Sequence, residues 1–179
     1  LTEPQYWLPL VDSALANRAL DPALPRLLQR DPARLLDRLG LLLTTPEGAA
    51  ALPAMARLIR ATDNTVLRAL ETDLSSSRRQ RIATAIKLLS VAAPERLAAA
   101  LPGALAGWEW NLQDLAVTAL SRQNNPNLRR QVAHLFLDLL KDAHLHVVPG
   151  MIDLLVLARE ESAVPRLLEM ATGDTVETQ

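Results

Sequence analysis

With 179 residues, 49% of them hydrophobic, the chain is long enough to bury about two thirds of its unfolded surface in one folded unit. Its 38 Leu and 28 Ala, against three Trp, one Tyr and one Phe, favour helix: both residues lose little side-chain freedom there, whereas strands draw on β-branched and aromatic residues. Cysteine is absent and the formal net charge is −1, which excludes disulfides, thiolate metal sites and a cysteine nucleophile, and argues against non-specific binding along nucleic acid.

The charge is mildly dipolar. Residues 1–90 hold 12 basic and 9 acidic groups, and residues 91–179 hold 7 and 11. No apolar run approaches the roughly 18 residues of a membrane span, and no basic-then-apolar signal opens the chain. A cytoplasmic setting without membrane insertion is expected. The start at Leu1 rather than Met suggests a trimmed chain or a module of a larger protein.

About ten short helices are predicted in chain order. Leu8, Val11, Leu15 and Ala19 share a first face; Leu24, Leu27 and Leu28 follow a break at Asp21-Pro22. Asp31-Pro32, a cap followed by proline at the first helical position, introduces Leu35, Leu36 and Leu39. Pro46 opens a block with Leu52, Met55, Ala56 and Ile59, and Asp63 caps another with Leu67, Leu70 and Leu74. Ser75 to Ser77 then break the pattern before Ile82, Ala85, Ile86 and Leu89.

Pro94 begins the stripe Leu97, Leu101 and Leu105, which Gly107 ends; Leu112, Leu115, Ala116 and Ala119 come next. Asn125-Pro126 repeats the cap-and-proline device ahead of Leu128, Val132, Leu135, Phe136 and Leu139, with Leu135 expected in the core. The last blocks carry Val148, Ile152 and Leu155, then Val164, Leu167, Leu168 and Ala171. Gly173 closes the final helix. A single domain over 1–174 with a frayed tail at 175–179 is the expected organisation.

Short helices with shorter connectors force neighbours to lie antiparallel, so the pattern reads as helical hairpins that must stack to bury their stripes. Ala23-Leu24-Pro25, Ala51-Leu52-Pro53, Ala100-Leu101-Pro102, Val147-Val148-Pro149 and Ala163-Val164-Pro165 all pair two apolar residues with a proline. Together with segments such as Asn125-Pro126-Asn127-Leu128-Arg129-Arg130-Gln131-Val132-Ala133 and Ser162-Ala163-Val164-Pro165-Arg166-Leu167-Leu168, the chain resembles HEAT-repeat proteins from about Asp63 onward. The repeats are most similar to the short variety first noted in phycobilisome lyases. The resemblance implies an all-α fold, a short right-handed α-α superhelix. The motif prolines lie 28, 49, 47 and 16 residues apart, uneven beside a period of about 30 to 45, so a non-repeating helical bundle is the alternative.

Two polar features are candidates for partner binding. Arg78, Arg79 and Arg81, with Arg68 and Lys87 nearby and Arg129 and Arg130 as a second pair, could bind phosphate or an acidic protein surface through bidentate hydrogen bonds; the alternative is a solvated helix start. Trp108-Glu109-Trp110 concentrates two indoles in an aromatic-poor chain, and tryptophan is enriched at binding hot spots. A packed inter-repeat plug is the other reading for either indole.

Trp110 and Asp114, four apart on one helix face, resemble the Trp and Asp pair of HEAT-like alkylpurine DNA glycosylases, although the extra aromatics and strongly basic groove of those enzymes look deficient. His134, and the pair His144 and His146, lack accompanying carboxylates or cysteines for a metal. No nucleophile elbow, glycine-rich phosphate loop or His-Glu-x-x-His occurs. The expected function is therefore a non-enzymatic protein–protein interaction scaffold for a protein or peptide partner, without cofactor or metal and with nucleic acid not the expected partner. A HEAT-like nucleic-acid-binding protein or alkylpurine DNA glycosylase is the alternative.

Overall fold

The computed structural model describes residues 4–17, 25, 26, 29–140, 149–165, 167 and 168. Among them the chain is all-α, with ten α-helices, two single 3-10 turns and no strand. They fall into two compact units, one up to Ala100 and one from Leu101 onward.

The first unit contains α1 (Pro4–Asn17), α2 (Pro32–Leu42), α3 (Pro46–Ala50), α4 (Leu52–Ala61), α5 (Asn64–Asp73), α6 (Arg79–Ala92) and the start of α7 (Pro94–Ala104). Its helix starts are set locally. The Asp31 carboxylate accepts from the Arg34 N–H at 3.2 Å with Pro32 behind it, and Asp63 accepts from the Thr65 N–H at 2.8 Å. Each satisfies a backbone donor that no helical carbonyl can reach. Hydrogen bonds from Thr65, side chain first and backbone second, hold the Asp63 carboxyl below its ordinary value.

α6 is the hub. Its buried Ile82, Ala85, Ile86, Leu88 and Leu89 meet α2, α4 and α5. Leu35, Leu39, Met55, Leu58, Ile59, Leu70 and Leu74 complete this core. Arginines staple the helices from the rim. Arg38 donates to Asp12 (Nε to Oδ1, 3.2 Å), tying α2 to α1 and raising the guanidinium above its usual range, chiefly through that hydrogen bond. Arg60 of α4 donates to the Val91 carbonyl at 2.8 Å, near the end of α6 where helical carbonyls lack partners. Arg96 of α7 reaches Glu71 at 3.0 Å and Asn64 at 2.9 Å on α5.

The second unit holds the end of α7, a 3-10 turn (Leu105–Gly107), α8 (Trp110–Ser121), α9 (Pro126–Leu140), α10 (Pro149–Ala158) and a last 3-10 turn (Glu161–Ala163). α10 packs on both α8 and α9. Asn125 starts α9 by accepting from the N–H groups of Asn127 and Leu128 at 3.0 and 3.3 Å. α10 stops at Arg159, whose φ of 54° is left-handed. The Glu160 N–H there bonds the Leu155 carbonyl at 3.0 Å, the 6→1 bond of a Schellman end.

Three expectations are corrected. The block opened by Pro46 is two helices, because Pro53 has no N–H with which to carry the ladder of α3 onward. Leu135 is only half-buried; its neighbour Phe136 is the fully buried residue of α9. Ile152, Val164 and Leu168 are exposed, as are Val156 and Leu157. Of the α10 residues, Met151 and Leu155 face the core, and a helix apolar on almost every side gives no periodicity from which to choose its buried face. The break at Asp21-Pro22, the stripe of Leu24, Leu27 and Leu28, His144 and His146, Gly173 and the tail 175–179 lie outside the described residues.

Candidate functional site

The two indoles part company at the entry to α8. Trp108 is extended (φ −95°, ψ 145°) and buried, 7% exposed, while Trp110, the first residue of the helix, is 68% exposed. The lead-in is clamped by one side chain: Gln113 Nε2 donates to the Leu105 carbonyl at 2.8 Å and to the Trp108 carbonyl at 3.1 Å. Trp108 thus serves the core of the second unit, and Trp110 is the indole that a partner can reach. Asp114, one turn along α8, is half-buried.

The arginine cluster divides too. Arg78 is the N-cap of α6, and Arg78 and Arg79 are exposed. Arg81 is engaged, with Nη2 at 3.0 Å from Asp37 on α2 and Nη1 at 3.6 Å from Asp73 at the end of α5. Three cations at the N-terminal end of α6 oppose its macrodipole, so their placement is not one that helix stability selects. Arg129 is half-buried with Nε lacking a hydrogen-bond partner, and Arg130 is exposed; this pair belongs to the second unit and the Arg78 cluster to the first. His134 is exposed, with Nε2 3.8 Å from Glu160. Among the described residues no three His, Asp or Glu side chains gather as metal ligands, and no helix is long and apolar enough to cross a membrane.

The sequence reading did not anticipate a recess of about 230 Å³ in the first unit, lined by Asp37, Gly40 and Leu41 of α2, Asp73 of α5, and Arg81 and Thr84 of α6, among others. These residues come together because 37, 40 and 41 share one face of α2, and 81 and 84 share one face of α6. Gly40 permits the close approach of the two helices, since a Cβ there would stand 2.9 Å from Thr84 Oγ1. Thr84 is 5% exposed and its hydroxyl has no hydrogen-bond partner. Burial pushes the Asp73 carboxyl up, the Arg81 charge pulls it down, and the Asp37 charge adds to the rise. One signal was legible: a glycine inside an apolar helical stripe costs stability unless something packs closely against it.

A scan of protein-family models and searches of curated proteins and of solved structures found no match to this chain.

Proposed function

We propose that this chain is a non-enzymatic, cytoplasmic interaction module built from HEAT-like helical hairpins, and that it docks a protein or peptide partner through Trp110. The observation that carries the reading is the contrast between the two indoles: one fills the core, and the other stands 68% exposed on the first turn of α8. An indole left in water forgoes the burial that its large apolar surface could gain, and such residues recur at interface hot spots. Asp114 on the same helix offers a carboxylate beside it. The HEAT-like part of the reading is supported within each unit by packing that skips a helix, α4 on α6 and α8 on α10, as stacked hairpins do.

The test is quantitative capture from a cell extract, comparing the wild-type chain with Trp110→Ala and with Glu95→Ala, a change at an exposed residue of the first unit. Loss of a hot-spot indole weakens binding by about 2 kcal/mol or more, roughly thirtyfold. Proteins retained by the wild type and by Glu95→Ala, but lost with Trp110→Ala, are the expected outcome. Identical retention by all three chains would refute the assignment of Trp110.

A further inference from the structure

We propose that the outward side of α10 is a homodimer interface, on which α10 of a second copy of this chain lies antiparallel with a two-fold axis at Val156. This assignment concerns the second unit and does not rest on Trp110. α10 packs on α8 and α9 with Met151 and Leu155 buried, and its other side leaves Ile152, Val156 and Leu157 at 41, 69 and 54% exposure. Elsewhere the chain puts charge where a helix faces water: the exposed residues of α4 include Arg57 and Arg60. α10 has one charged residue among its ten, Asp153. Ile152 and Val156 stand one turn apart with Leu157 on the adjoining side. Together the three present roughly 300 Å² of largely apolar area, the size of the biggest patch on many monomers and one that often serves binding.

The second observation, charge, names the occupant. Asp153 and Arg159 are both exposed and lie three residues before and three residues after Val156; among the described residues neither side chain has an ion-pair partner. A two-fold axis at Val156 exchanges these positions between antiparallel helices. Asp153 of each copy then meets Arg159 of the other, while Val156 meets Val156 at the centre. Helix axes about 8–10 Å apart leave both pairs within side-chain reach. A parallel pairing instead sets Asp153 against Asp153 and Arg159 against Arg159, two repulsions. The next carboxylate, Glu160, is engaged within its own chain, accepting from the Ser162 hydroxyl at 2.5 Å and facing His134 Nε2 at 3.8 Å. The patch falls below the roughly 800 Å² per partner of a standard interface, so the dimer is a reversible, micromolar one.

The intact chain should be followed by sedimentation equilibrium from ~1 to ~300 μM, a range that brackets a micromolar Kd. A monomer–dimer equilibrium is expected for the wild type. Val156→Glu sets two carboxylates against each other at the axis and should weaken the dimer at least about tenfold. Its Tm should stay within about 2 °C of wild type, because the side chain is exposed. Asp153→Arg and Arg159→Asp should each weaken self-association, since each brings like charges together at both pairs. An equimolar mixture of those two variants should regain it, because every facing pair is then of opposite sign. A wild-type chain that stays monomeric to ~300 μM overturns the proposal and leaves the face to a different occupant. Undiminished association of a folded Val156→Glu chain overturns it by placing the interface elsewhere, and a mixture that stays monomeric excludes the antiparallel register.

Discussion

Replacing the two tryptophans one at a time separates core from surface in the second unit. Trp108 is 7% exposed and Trp110 is 68% exposed, so the same substitution removes the same atoms from opposite environments. Trp108→Ala removes buried apolar area and leaves a cavity that neighbours only partly fill, a loss of about 3–5 kcal/mol. Trp110→Ala touches little that is packed and should stay within about 0.5 kcal/mol. For a chain of this size, at about 2–4 °C per kcal/mol, the expected fall in Tm is roughly 6–20 °C for Trp108→Ala and no more than about 2 °C for Trp110→Ala. Differential scanning calorimetry gives the two values, and urea titration followed by circular dichroism gives the free energies. A loss beyond about 2 kcal/mol for Trp110→Ala, or one below about 1 kcal/mol for Trp108→Ala, would refute this division of the pair.

The glycines should rank by the space around them. Gly48→Ala, where a Cβ would stand 1.8 Å from the Leu42 carbonyl oxygen, must move backbone and should cost more than about 4 kcal/mol; Gly40→Ala must displace the Thr84 hydroxyl at 2.9 Å and should cost about 1–3 kcal/mol; Gly103→Ala, with nothing within 4 Å, should be neutral or stabilising by up to about 1 kcal/mol. Equal melting temperatures across the three would contradict the ranking. Asp73 acts against the usual direction for a carboxylate: its folded-state value lies above 3.8, so its charge costs stability above that raised value and the cost vanishes below 3.8, where it is protonated folded and unfolded. With Arg81 and Asp37 as the charges facing it, Asp73→Asn should melt no lower than wild type at pH 7, and the two melting curves should converge at pH 3; a deficit at pH 7 that disappears at pH 3 would reverse the sign. In α9, Phe136→Ala should cost about 3–5 kcal/mol and half-buried Leu135→Ala clearly less, an order that chemical denaturation of the two variants checks directly.

The all-α class and the helix starts were legible in the residues because their causes are local. Asp31, Asp63 and Asn125 each bond an N–H within three residues of themselves, and a proline blocks a helix by its own missing donor, so no distant contact is needed to place them. Candidate sites depended on more than locality. Arg81 looked like a free member of a basic cluster, yet its carboxylate partner Asp37 lies 44 residues away. The Trp108-Glu109-Trp110 triplet placed two large apolar side chains at one helix entry without specifying which would be covered.

What the sequence by itself determined, then, is the all-α class, the helix starts that a cap or proline marks, and that apolar stripes must be buried. Tertiary structure alone decided which indole is core, which side of α10 faces in, and that Asp37, Asp73, Arg81 and Thr84 enclose a recess. The physical reason is common to all three. Propensity, caps and breakers act over a turn or two of chain, whereas burial and ion pairing depend on what another helix brings to the same place, and an evenly apolar helix or an isolated arginine carries no record of its partner.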